Sequence, residues 1–146
     1  LAKKLATKLN YVGVLGVEFF VVGNQLLVNE IAPRPHNSGH YTIDACVTNQ
    51  FEQQVRVITG QALGSPALHS NAVMVNILGD SWLYTGKQVE PAWDKAFVHG
   101  NLKMHLYGKH EPRKGRKMGH FTVIGDHAES VLNIAKVARS ELHIGE

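Results

Sequence analysis

Residues 17–42 read VEFFVVGNQLLVNEIAPRPHNSGHYT, with two apolar runs, Val17–Val22 and Leu26–Ile31, on either side of Gly23-Asn24-Gln25. Runs of this composition around a Gly-Asn turn signal read as a β-hairpin. Each run carries one carboxylate, Glu18 and Glu30, and the register decides what they do. A three-residue loop over 23–25 pairs Val22 with Leu26 and sets Glu18 opposite Glu30, their Cβ atoms roughly 5 Å apart. A two-residue turn at Gly23-Asn24 sends them to opposite faces, because strand side chains alternate with period two. Like charges held face to face destabilise a sheet unless a cation bridges them. Magnesium takes oxygen ligands and commonly one or two protein carboxylates, so it suits such a pair. In the first register Phe20, Val22, Leu26 and Val28 share the carboxylates' face, which is then not a freely solvated one.

Ala32-Pro33-Arg34-Pro35 cannot extend the ladder, since proline has no N–H and holds its predecessor extended. This stiff stretch presents Arg34 and His36. Asn37-Ser38-Gly39 reads as a turn into a helix over about 40–59, with Ile43, Cys46, Val47, Phe51, Val55 and Ile58 as its apolar stripe and Gly60 as its stop. Free N–H groups at a helix start, beside Arg34, His36 and Asn37, suit a small planar anion. The plainer alternative makes Asn37 or Ser38 an N-cap and His36 a surface residue.

Around this centre the chain reads as α+β. Leu1–Leu9 has the spacing of a helix, and the apolar Val12–Leu15 and Val17–Val22 suggest a strand bent at Gly16. Residues 60–66, rich in Gly, Ala and Ser, mark a boundary and divide the chain into 1–62 and 63–146. Beyond it, strands are expected over Asn71–Leu78, Leu102–Tyr107 and Lys117–Ile124, with turns at 79–81 and 108–115. A short helix is expected over 91–99. A terminal helix, His127–Leu142, turns Val131, Ile134, Ala135, Val137 and Ala138 inward.

Composition narrows the function classes. Hydrophobic residues are 44% and charged residues 18% of the 146, a globular balance. The apolar runs are far shorter than a membrane span, and no signal-peptide pattern opens the chain. The single Cys46 excludes an intrachain disulfide and a cysteine-built zinc site, which fits a reducing cytoplasm. Six of the basic residues fall between Lys103 and Lys117 against one Glu. In a chain of net charge +3, that points to one anion site rather than a nucleic-acid surface. The chain has no initiator Met and opens inside a helical pattern; it is therefore expected to be a piece of a longer protein.

The stretch VNEIAPRPHNSGHYT, followed by a helix and then by HLYGK and GRKMGH, resembles the N5-carboxyaminoimidazole ribonucleotide synthetase family of ATP-grasp enzymes over nearly the whole chain. The resemblance implies the C-terminal portion of an ATP-grasp domain, an antiparallel hairpin plus helix, followed by a small β-rich domain with a terminal helix. It implies an ATP-dependent ligase of purine biosynthesis that carboxylates aminoimidazole ribonucleotide with bicarbonate through carboxyphosphate. Glu18 and Glu30 would hold Mg2+, and Asn29 and Glu30 would border ATP. Arg34, His36, Asn37 and Ser38 would surround the activated carboxylate. Lys109, Arg116 and, as a weaker match, Lys117 would meet the substrate phosphate and the ATP end of the site. It further implies a homodimer, with no nucleic-acid or membrane partner.

Many ATP-grasp enzymes carry an Asn two residues after the second metal-binding Glu; here that residue is Ala32, and Asn29 precedes Glu30 instead. The family's N-terminal domain and its nucleotide-clamping lobe match nothing in this chain, so no ATP-dependent turnover is expected from the 146 residues alone. Two alternatives stay open: another ATP-grasp ligase with a different substrate, for which residues 34–38 discriminate, and a non-enzymatic anion-binding module built on residues 103–117.

Overall fold

A computed structural model describes residues 1–145, which form two compact units that divide between His69 and Ser70. In the first unit, α1 (Ala2–Lys8) leads to β1 (Gly16–Val22) and β2 (Gln25–Ala32), an antiparallel pair. Residues 12–15, expected to begin the strand, lie outside it.

The hairpin turn is the shorter of the two considered. Val22 pairs with Gln25, leaving Gly23-Asn24 as the loop, with Gly23 at φ +57°, a hairpin-turn conformation that glycine adopts without a Cβ penalty. On period alone this turn sends Glu18 and Glu30 to opposite faces. It does not, because the register shifts between Glu18 and Phe19: Phe19 pairs with Val28, and Glu18 with Glu30. Asn29 is the extra residue of a β-bulge, which restores the phase that the turn removes. The face-sharing set changes accordingly. Phe20 pairs with Leu27 and Val22 with Gln25, so Leu27 rather than Leu26 or Val28 lies on the carboxylates' side.

β2 stops at Ala32, where the prolines begin, and a 3-10 turn follows at Asn37–Gly39. The single helix expected over 40–59 is two: α2 (Thr42–Ala45) and α3 (Gln50–Ile58). Cys46 is extended between them, at φ −115° and ψ 152°. Asn49 restarts the helix, its side chain accepting the N–H groups of Phe51 and Glu52, both at 3.0 Å, which satisfies donors a helix start leaves open. The break is held from afar. Cys46 bridges to Leu68, and the N–H groups of Val47 and His69 donate to Ala67 and Ala45 carbonyls at 2.9 Å. The expected stripe is therefore not a core face; Val47, Phe51, Val55 and Ile58 are exposed.

The second unit holds β3 (Asn71–Leu78), α4 (Asp80–Leu83), α5 (Trp93–Phe97), β4 (Leu102–Leu106), β5 (Lys117–Gly125) and α6 (Ala128–Glu141). Its antiparallel sheet runs β3-β5-β4. β5 is central and buried from Met118 to Val123, as a strand covered on both faces should be. Val131, Ala135 and Ala138 of α6, spaced by four and three, join Ile77, Phe121, Val123 and Leu142 in the core. Ile134 packs at its margin, whereas Val137 is exposed. The turn expected over 79–81 is instead the start of the short α4, which begins at Asp80.

Candidate active-site half

The bulge places Glu18 and Glu30 side by side on a half-exposed surface, and His36 comes between them. Its Nε2 lies 3.5 Å from a carboxylate oxygen of each. The imidazole is only 12% exposed, against 43% and 55% for the two carboxylates. The other ring nitrogen sets the tautomer. The Ser38 backbone N–H, which can only donate, points at His36 Nδ1 from 3.3 Å, and Ser38 Oγ lies 2.9 Å from it. Nδ1 is therefore the acceptor, and Nε2 carries the proton toward the carboxylates. Asn29, at the bulge, donates from Nδ2 to Glu18 at 3.3 Å.

Part of this donor set suits magnesium. The ligand atoms of Glu18, Glu30 and His36 lie within 4.8 Å of one another. Two carboxylates give the hard oxygen ligation that magnesium takes. The protonated Nε2 has no lone pair to offer, and imidazole nitrogen is a ligand for softer ions. The two glutamates fit the metal, and His36 fits the role of hydrogen-bond donor beside it.

The rest of the loop is less convergent. Arg34 is exposed; its guanidinium donates to the Pro35 carbonyl at 3.0 Å, apart from the carboxylate pair. Asn37 begins the 3-10 turn, and its carbonyl accepts the His40 N–H at 3.1 Å. One residue in contact with this loop was missed by sequence reasoning. Gln50, at the start of α3 and 7% exposed, accepts the His36 backbone N–H at 2.8 Å and donates to the His36 carbonyl at 2.9 Å.

In the second unit, Lys109 donates from Nζ to the Lys117 carbonyl at 2.5 Å and stands 5.5 Å from the Tyr107 ring centre. Lys117 itself is exposed. Arg116 donates to the Glu111 carbonyl at 2.7 Å and lines a depression with His110, Glu111 and Arg113. This loop is anchored at the end of β3. The Gly79 N–H donates to the Arg116 carbonyl at 2.8 Å, and Asp80 accepts the Gly115 N–H at 2.7 Å. Nearby, Tyr107 Oη meets Nδ1 of the buried His120 at 2.8 Å, and burial pushes the Tyr107 hydroxyl above its usual range.

A hairpin with paired glutamates and a proline-bounded loop, followed by a second unit with a basic loop, is the layout that the resemblance implies for the C-terminal portion of an ATP-grasp protein. Residues 1–51 match the family model of the ATP-grasp domain, and residues 72–134 that of the phosphoribosylaminoimidazole carboxylase C-terminal domain. The chain belongs to the N5-carboxyaminoimidazole ribonucleotide synthetase family of ATP-grasp ligases, as a match to its C-terminal part. It is 50% identical over 123 residues to the N5-carboxyaminoimidazole ribonucleotide synthase of Bacillus subtilis, covering 84% of this chain and 30% of that protein. Among solved structures, it resembles the N5-carboxyaminoimidazole ribonucleotide synthetase of Thermotoga maritima at 44% identity and a TM-score of 0.82, over 95% of this chain and 39% of that one. It also resembles the Aspergillus clavatus N5-carboxyaminoimidazole synthase in complex with ADP and 5-aminoimidazole ribonucleotide, at 31% identity and a TM-score of 0.77, over 90% of this chain and 35% of that one. The chain spans about a third of the length of the curated relatives it matches. Among the described residues, no helix is long and apolar enough to cross a membrane.

Proposed function

We propose that the protein carrying this chain is an ATP-dependent ligase that makes N5-carboxyaminoimidazole ribonucleotide from aminoimidazole ribonucleotide, ATP and bicarbonate in de novo purine biosynthesis. The observation that carries this reading is the Glu18–His36–Glu30 group, standing in a chain half identical to a protein named for that synthesis. In the proposed chemistry the γ-phosphate passes to bicarbonate, releasing ADP. The substrate amine then attacks the carboxyl carbon of carboxyphosphate, and phosphate leaves.

Phosphoryl transfer of this kind needs positioning and charge neutralisation more than covalent help. Glu18 and Glu30 would hold Mg2+, which when bound spreads the charge developing on the phosphates. Asn29, tied to Glu18, and Glu30 would border the nucleotide. Arg34, His36, Asn37 and Ser38 would surround bicarbonate and carboxyphosphate. The Arg34 fork gives up only a carbonyl of its own loop to clamp two carboxylate oxygens. The Nε2–H of His36 supplies a donor for a developing oxyanion. A proline-stiffened loop also limits water around an intermediate that water destroys. Lys109, Arg116 and Lys117 would meet the ribonucleotide phosphate and the ATP end of the site. The Aspergillus clavatus relative, solved with ADP and 5-aminoimidazole ribonucleotide, supports small-molecule partners of this kind.

In this reading residues 1–62 complete the ATP-grasp domain, residues 63–146 form the second domain, and the enzyme is a cytoplasmic homodimer. The test is ATP hydrolysis by the full-length protein. It should require both bicarbonate and aminoimidazole ribonucleotide, and the 146 residues alone should hydrolyse none. Hydrolysis by the full-length protein without either co-substrate, or none with both, would remove the assignment.

A further inference from the structure

We propose that Gln50 is the positioning residue of the carboxylate-handling loop, holding His36 so that its Nε2–H stays between Glu18 and Glu30. The proposal rests on the reading of the site given above and names a residue that no part of that reading uses.

Gln50 treats His36 as a strand neighbour would. His36 is extended, at φ −127° and ψ 154°, with its N–H donating to Gln50 Oε1 at 2.8 Å and its carbonyl accepting from Gln50 Nε2 at 2.9 Å. The second proton on Nε2 is directed to His40 Nδ1 at 2.8 Å. The Gln50 backbone N–H donates to Thr42 Oγ1 at 3.0 Å, and that hydroxyl donates to the Gly39 carbonyl at 2.6 Å. Only a primary amide combines an acceptor with two donors on one planar group. Asn is a methylene shorter, and Glu when ionised has no donor.

The surroundings are cut to fit this contact. A Cβ on Gly39 would stand 2.5 Å from Gln50 Oε1, and one on Gly16 would stand 3.1 Å from His36 Cβ. Gly39 thus clears the space for the Gln50 amide, and Gly16 that for the His36 side chain. Gln50 fixes the backbone of His36, the Ser38 N–H fixes its ring, and together they leave Nε2 3.5 Å from each carboxylate. Gln50 itself acts through His36.

The test uses the full-length enzyme with Gln50→Met, which keeps the length and removes both hydrogen bonds to His36. The turnover number of bicarbonate-dependent ATP hydrolysis should fall about 10- to 100-fold, as for other losses of a group that orients a site residue, with the KM for the ribonucleotide unchanged. A second readout needs no substrate: the 15N shifts of the His36 ring should report one Nε2–H tautomer in the parent and a tautomer mixture in the variant. An unchanged turnover number with an unchanged tautomer overturns the proposal, as does a lowered melting temperature with both intact. Should Gln50→Met fail to fold, Gln50→Glu, which keeps the acceptor and loses the donors, decides on the same readouts. If the parent shows no bicarbonate-dependent hydrolysis, the functional reading fails, while the tautomer comparison still judges the hold of Gln50 on His36.

Discussion

Glu18 pairs directly with Glu30 across a hairpin whose two-residue turn would by itself send them to opposite faces. Asn29 supplies the missing step as the extra residue of the bulge, and its amide then donates to the Glu18 carboxylate at 3.3 Å. One residue thus sets the phase of the pair and relieves part of its repulsion, and His36 relieves more from the other side.

Deleting Asn29 should therefore do more harm than substituting it. Without the extra residue the ladder runs unbroken from the turn, and the two glutamates part to opposite faces. The deletion in the full-length enzyme should abolish bicarbonate-dependent ATP hydrolysis, while Asn29→Ala should retain measurable turnover. Near-parent activity in the deletion would mean that the pair is set by something other than the bulge.

Glu30→Gln should lower turnover by about a hundredfold or more, on the scale of losing a charge-stabilising group at a reacting centre, while leaving the fold intact. Glu30 is half exposed, so its substitution buries nothing unsatisfied. Mn2+ binding followed by electron paramagnetic resonance should weaken in parallel, and full activity with unaltered Mn2+ affinity would exclude Glu30 as a ligand.

Arg116→Ala should raise the KM for the ribonucleotide and leave that for ATP nearly unchanged. Gly79→Ala should act on the same parameter from a distance. A Cβ there collides with the backbone nitrogen and carbonyl of Arg113, so the basic loop must shift, with overpacking costing about 1–3 kcal/mol. A Gly79→Ala enzyme with parent stability and parent KM values would show that the anchor does not govern Arg116.

Phe121→Ala should destabilise the second unit by about 3–5 kcal/mol, the usual range for removing a fully buried phenylalanine. Phe121 is completely buried in the central strand of its sheet. Chemical denaturation of residues 70–146 measures the loss, and a change below about 1 kcal/mol would place the core elsewhere.

Sequence patterning located the second unit well, and physical reasons account for it. β5 is rich in β-branched and aromatic residues and buried from Met118 to Val123, and Val131, Ala135 and Ala138 repeat at helical spacing. The first unit was harder to read. The split between Cys46 and Asn49 had a local sign, since Asn49 followed three residues later by Glu52 has the form of a helix start. The extended backbone there depends on Ala67 and Leu68, which helical periodicity over 40–59 cannot register. No Gly or Pro interrupts residues 26–31 to mark a bulge at Asn29, so the pairing of the glutamates was legible only as a choice of two registers. Gln50 was hidden because its partner lies 14 residues away and it sits where a surface helix position was expected.

The β1–β2 ribbon has one further consequence. It is a sheet of two strands, and Phe20, Val22 and Leu27 on one side and Val21, Leu26 and Val28 on the other are all exposed. A ribbon that is apolar on both faces and lacks further paired strands is a template for strand addition. Handled as a separate polypeptide, residues 1–69 should associate through this ribbon as concentration rises. Colloidal behaviour, more than folding, will set the conditions under which the first unit can be studied alone, and charged substitutions at Val21 and Leu26, which pair across the ribbon on the face away from Glu18 and Glu30, are the place to adjust it.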